Sequence, residues 1–248
     1  MKILARFQAI KDDHKALVVR KLMQSSTPDF DFLYLTGLSV IMATLGLLAD
    51  SPAIVIGSML IAPVLYPILG IALGIVMSNA SVLGRSTVSL IRALGVGLGL
   101  AALAALLFGE SGNLTGEILL RTDPNLISIS VAIAAGLAVS YALAQPEWSE
   151  TLPGIAISVA LIPPLAVVGI GIAWLDGEMI VGSLLLLAVN IAGIVFAAMV
   201  SFSLMNLHEK HDIAESTIKR EDTRIEEEEK AIDKIVQENG NKNTSPTV

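Results

Sequence analysis

Six stretches of this chain are apolar for about the twenty residues that an α-helix needs to cross a hydrocarbon layer. They are Phe32 to Ala49, Pro52 to Met77, Ser86 to Phe108, Leu126 to Ala144, Pro153 to Leu175, and Met179 to Met205. Lipid offers no hydrogen bonds to an open backbone, so spanning segments are helices or closed barrels. The alternating pattern of a barrel is absent. With 54% hydrophobic and 16% charged residues, and a mean hydropathy of +0.73, the chain is too apolar for a soluble globular domain. The expected fold class is an all-α membrane protein with six transmembrane helices.

The sequence divides into three regions. Residues 1–30 form a basic arm, 31–206 the six-span membrane domain, and 207–248 an acidic tail in which 11 of the chain's 23 Asp and Glu residues concentrate. Met1 to Gln24 lacks the apolar core of a cleavable signal peptide. It reads either as a cytoplasmic amphipathic helix, with Ile3, Leu4, Phe7, Ile10, Leu17, Val18 and Leu22 on one side, or as a plain cytosolic lead-in. Lys and Arg cluster in this arm, at Arg85, and at Lys210, Lys219 and Arg220, whereas the loop from Gly109 to Asn125 holds only Arg121. The positive-inside rule then places both termini in the cytoplasm, in the cell (plasma) membrane. In the tail, Ile218, Ile225 and Ile232 recur every seventh residue, with Ala214 and Ile235 in complementary positions. Glu221 and Glu228 interrupt that seam, so a solvated helix is favoured over a coiled coil. Disorder is expected beyond Asn239.

The second and fifth runs share a pattern. At one fixed spacing Pro52 falls on Pro153, Ile54 on Ile155, Ile56 on Ile157, Leu60 on Leu161, Ile61 on Ile162, Pro63 on Pro164, Gly70 on Gly171, Ile71 on Ile172 and Ala72 on Ala173. Three spans per half (about 31–108 and 125–206) make this a 3+3 inverted repeat with Pro-broken second and fifth helices. Proline lacks an N–H and crowds the carbonyl one turn earlier. Pro63 and Pro67 disturb the carbonyls of Met59 and Pro63, and Pro163 and Pro164 those of Val159 and Ala160. A proline often does no more than kink a membrane helix. Clustered prolines at equivalent points of two repeats put a solute pathway level with kinking.

The residues expected to line such a site are Gly57, Ser58, Met59, Pro63, Tyr66, Pro67, Ser158, Pro163, Pro164 and Asn190, with Ser140 and Tyr141 nearby. Asn190 is also suited to gluing helices together. Arg92 is expected to snorkel to the cytoplasmic surface. Asp50, Ser51 and Thr151 are expected to cap helices that begin at Pro52 and Pro153. Gly70 with Gly74, and Gly95 with Gly99, have the spacing of close helix packing, inside a subunit or between copies.

Absences narrow the function. No Asp, Glu or His lies deep in a span, and the chain has no cysteine. A carboxylate proton relay, a metal centre, a thiol enzyme and a phosphate-binding glycine loop all lack their residues. No enzyme activity, cofactor or nucleic-acid partner is expected. The expected partners are the lipid bilayer, a small solute or ion, and a homo-oligomer. Two functions follow: a transporter or channel with its site at the facing broken helices, or a non-transporting scaffold whose acidic tail recruits partners.

Several motifs also carry a resemblance. Ile56-Gly57-Ser58-Met59-Leu60-Ile61-Ala62-Pro63 with Pro67, Asp123-Pro124, Ala134-Ala135-Gly136, Pro153-Gly154, Leu161-Ile162-Pro163-Pro164-Leu165 and Asn190 resemble the domain of unknown function 389 family. Ser58 stands where that pattern more often has alanine. The resemblance covers roughly Phe30 to Met205. It implies a prokaryotic integral membrane protein and names no substrate.

Overall fold

The computed structural model describes the backbone of residues 12–145 and 152–243, and the side chains of 12–145 and 161–235. Residues 1–11 of the arm, Thr151 and the side chain of Ser158 lie outside the described residues. The described chain is all helical: α1 (Asp12–Ser25), α2 (Phe30–Leu48), α3 (Pro52–Met59), α4 (Leu65–Val76), α5 (Ala80–Phe108), α6 (Gly116–Leu119), α7 (Leu126–Leu143), α8 (Leu152–Trp174), α9 (Gly177–Leu204), a 3-10 turn (Leu207–Lys210) and α10 (His211–Asn243). Among the described residues α2, α5, α7 and α9 are each long and apolar enough to cross a membrane. The protein is therefore a multi-pass membrane protein.

The hub is α8, which packs against α2, α3, α4, α5, α7 and α9. A helix that is apolar all round belongs in a protein core or in lipid, and here each residue from 161 to 171 is buried in the bundle. Small residues allow the approach. A Cβ on Gly169 would collide with Ala101 of α5, and one on Gly97 of α5 would lie 2.8 Å from Leu165. Around this hub α2 packs on α5, α4 on α5 and α9, and α7 on α9. The α7–α9 contact again rests on glycine, since a Cβ on Gly136 would lie 2.8 Å from that of Ala197 and 3.0 Å from the Ile194 backbone.

Three sharp corners share one construction. At each, a helix ends on a residue in the left-handed region, Asp50 (φ 50), Ser78 (φ 51) or Leu175 (φ 57). The next residue donates its N–H five residues back: Ser51 to the Gly46 carbonyl, Asn79 to Gly74 and Asp176 to Gly171, each at 2.9 Å. That bond satisfies a carbonyl the helix end would otherwise leave open. The same residue is then the N-cap of the following helix. Glycine is needed at the first position because the new helix folds back onto it. A Cβ there would stand 2.9 Å from the Val55 nitrogen at Gly46, 2.7 Å from the Leu83 nitrogen at Gly74, and 3.2 Å from the Ile180 nitrogen at Gly171.

The corner caps differ from expectation at the first turn. Ser51 makes no side-chain cap. Asp50 instead accepts from the N–H of Glu117 at 3.0 Å, and Thr115 donates to the Leu47 carbonyl at 2.7 Å, which ties α6 to the end of α2. Gly109, just past α5, sits against Trp174 and Leu48, and Gly182 of α9 against the Thr122 carbonyl. One end of the bundle thus gathers the ends of α2, α5 and α8 and the start of α9.

The other end is closed by α1 and α10. Ser89 of α5 donates to the Ser26 carbonyl at 2.6 Å. Arg85 pairs with Asp222 and donates to Thr27 at 3.2 Å. Asn79 bonds His211 at 2.8 Å and Glu215 at 3.1 Å, and Arg224 bonds Asp29 at 3.1 Å. Burial works against the Arg224 charge, but Glu221, Asp29 and Glu228 around it hold its pKa above the ordinary guanidinium value. The acidic tail is therefore no solvated helix over its first half: Ala214, Thr217 and Glu221 are buried and Ile218 packs into the core. Its basic partners were too scattered along the chain to be matched to it by pattern. Ile232 and Ile235, further along, are exposed. The helix runs to Asn243, and 244–248 lie outside the described residues. Leu17, assigned to the apolar side of the arm, is exposed, while Lys15, Val19 and Met23 of α1 are buried.

Candidate functional site

The interruption at Pro63 forms as the residues require. α3 stops at Met59, and its last turn tightens, with Leu60 N–H bonding the Gly57 carbonyl at 3.3 Å and Ile61 N–H the Ser58 carbonyl at 3.2 Å. α4 starts at Leu65, where Tyr66 N–H takes the Pro63 carbonyl at 3.2 Å. Pro63 has no N–H for the Met59 carbonyl. Among the described residues no hydrogen bond reaches the carbonyls of Met59, Leu60, Ile61 or Ala62. Ser58 is fully buried. Its hydroxyl donates to the Val55 carbonyl at 2.6 Å, and its own carbonyl accepts from Ser39 of α2 at 2.7 Å. That bond crosses from α2 to the interruption and fixes its position.

Around this turn Gly57 is part-exposed with open space where a Cβ would project, Met59 and Pro67 are buried, and Pro63 and Tyr66 are half-buried. Tyr66 packs against the core.

Pro163 and Pro164 behave differently. They lie inside α8, whose helix runs through both, so the expected break in the fifth helix is corrected to a continuous helix. The packing of neighbouring helices around residues 161–171 gives the physical reason, because it holds the helix together where an isolated one would part. The covalent consequence remains, since Val159 and Ala160 carbonyls have no proline N–H to meet. α8 packs against both α3 and α4, so the two proline motifs lie on adjoining elements. Asn190 is buried on α9, which packs against α8 and α4. Ser140 is buried with its hydroxyl on the Gly136 carbonyl at 2.7 Å, and Tyr141 is half-buried. Arg92 is exposed. Gly70 and Gly74 pack inside the subunit, against Ser86 and Leu83, whereas Gly95 and Gly99 have nothing within 4 Å.

A family model described as a domain of unknown function (DUF389) matches residues 59–196, which run from the end of α3 into α9 and include both proline motifs. The chain belongs to the DUF389 family. Among similar proteins is an uncharacterized protein, MJ0678, of Methanocaldococcus jannaschii, 32% identical over 166 residues. That match covers 67% of this chain and 51% of the relative, so the chain spans about half the length of the protein it matches. No solved structure matches. In this DUF389 chain the family region thus coincides with the interruption, the hub helix and the buried face of α9.

Two features of the region escaped sequence reading. One is Ser39, whose bond to the interruption links residues nineteen apart. The other is a pair of buried serines on α9, Ser183 and Ser201, in line with Asn190. Their signal was the recurrence of small polar residues at helical spacing in an otherwise apolar run.

Proposed function

We propose that this DUF389 protein is a non-enzymatic transporter or channel for a small solute or ion, with its site between the α3–α4 interruption and the proline motif of α8. The observation that carries this reading is the row of carbonyls from Met59 to Ala62 with no hydrogen bond among the described residues, in an apolar, multi-pass chain. Unpaired peptide groups at membrane depth are costly and persist where water or a solute meets them. Gly57, Ser58, Met59, Pro63, Tyr66, Pro67, Ser158, Pro163, Pro164 and Asn190 are the proposed lining.

In this reading the chain crosses the membrane six times as a 3+3 inverted repeat, α3 with α4 counting as one crossing and α8 as another. Support comes from reciprocal packing, for α5 rests on α8 as α9 rests on α4. The corners at Gly74 and Gly171 also match. They pair Pro67 with Pro164, seven residues before each glycine, about one helical turn from the register that the sequence suggested. Both termini are cytoplasmic: α1, α10 and Arg85 meet at one end, whereas Arg121 at the other pairs with Glu117 at 2.8 Å. Gly95 and Gly99, open on α5, offer a face for a homo-oligomer.

The scaffold reading draws on one observation, the exposed Ile232 and Ile235 beyond the docked part of α10. Solute flux in proteoliposomes separates the two. Transport predicts flux that survives removal of 229–248 and is lost in the Pro63→Ala/Pro164→Ala double variant. Retained flux in the double variant would refute the site.

A further inference from the structure

One face of α9 carries Ser183, Asn190 and Ser201. Ser183 and Ser201 are eighteen residues apart, five full turns, which sets them in line about 27 Å from each other. Asn190 falls within about 20° of the same line. The distance nearly equals the thickness of a hydrocarbon core. All three residues are buried, Ser183 and Ser201 completely.

Among the described residues the two serine hydroxyls have no hydrogen-bond partner. Ser86 of α5 shares this state, but most buried hydroxyls of these helices do not. Thr36, Thr44 and Ser140 each donate to the carbonyl four residues back, at 2.8, 2.8 and 2.7 Å. This is the ordinary refuge of a helical hydroxyl in an apolar setting. Ser183 and Ser201 have such carbonyls one turn behind them and do not use them. A buried hydroxyl left open disfavours the fold unless something else meets it.

The chemistry of that something is limited by what surrounds α9. α9 packs against α4, α7 and α8. None of these three helices contains Asp, Glu, His, Lys or Arg, and α9 itself has only Glu178 in its first turn. An ion on this line would shed its hydration with no countercharge in reach, whereas an uncharged molecule needs only the donors and acceptors that hydroxyls and an amide supply.

We infer that the Ser183–Asn190–Ser201 line of α9 is the route of a small uncharged hydrogen-bonding solute, of the polyol or urea class. The inference rests on the transport reading above and specifies its substrate. The two hydroxyls are contact points near the ends of the route, and the amide is the one near its middle. The unpaired carbonyls at the α3–α4 turn add acceptors from the α4 side.

The test uses the full-length protein in proteoliposomes, with light scattering after imposed glycerol or urea gradients and a parallel potassium-gradient assay. Glycerol or urea should pass faster than in empty vesicles. Ser183→Ala and Ser201→Ala should each slow it by about tenfold, the effect of one lost hydrogen bond at a crossing point. Both variants should melt at the same temperature as the parent or higher, because each removes an open hydroxyl. Thr44→Ala, whose hydroxyl is already bonded, should leave flux unchanged. Potassium flux without glycerol or urea flux would overturn the inference and leave transport standing. Solute flux indifferent to both serine variants would do the same, as would a fall in melting temperature, which would mean that the hydroxyl has a structural partner. Absence of flux for every probe would remove the transport reading and this inference together.

Discussion

Replacing Gly74 by alanine tests the corner geometry on which the stacking of α4 and α5 depends. In a helix interior, alanine for glycine is ordinarily worth about 1 kcal/mol of stabilisation. At Gly74 the added carbon would lie 2.7 Å from the backbone nitrogen and 2.9 Å from the Cα of Leu83. Backbone atoms cannot swing aside as a side-chain end can, so α5 must shift as a body. Overpacking of this kind costs about 1–3 kcal/mol, and a rigid contact belongs near the upper limit. The net expectation is a loss of about 2 kcal/mol, or a melting temperature lower by about 4–8 °C for a chain of this size. Gly99→Ala is the internal control, because nothing lies within 4 Å of its added carbon. It should hold or raise the melting temperature. Gly171→Ala should fall between them, its nearest contact being the Ile180 side chain at 2.9 Å. The assay is thermal unfolding of detergent-purified variants, followed by helical circular dichroism and by retention of the monodisperse peak. A Gly74→Ala protein as stable as Gly99→Ala would refute the close-approach account of all three corners.

Two further outcomes follow from the polar contacts. Ser39→Ala should destabilise the protein by about 0.5–1.5 kcal/mol, since it removes the 2.7 Å donor of the buried Ser58 carbonyl and leaves that carbonyl only the Ile61 N–H; a melting curve indistinguishable from the parent's would show that the interruption is held by other means. Arg224→Ala should cost no more than about 1 kcal/mol, because that side chain is 46% exposed. It should nonetheless loosen α10 from Asp29, seen as faster cleavage of the tail by a protease with no change in the membrane helices.

What the sequence determined by itself was set by local covalent chemistry and by length. Twenty-residue apolar runs oblige helices in lipid, and a proline removes one helical hydrogen bond wherever it stands. The family region was likewise carried by short motifs around prolines. Pro163 and Pro164 show where that logic stops: the same missing N–H groups leave α8 continuous, because six neighbouring helices pack around it. The corner glycines belong to the same class. Gly74 reads in sequence as one more small residue in a membrane helix, and only the fold puts the Leu83 nitrogen beside it. The partners of the tail were illegible for a related reason, since Asn79, Arg85 and Asp29 meet it from more than a hundred residues away. Contacts between distant segments depend on which surfaces the completed bundle brings together. Local pattern specifies each helix, and the packing of the helices on α8 decided which prolines interrupt the chain, which glycines are indispensable and which hydroxyls remain open.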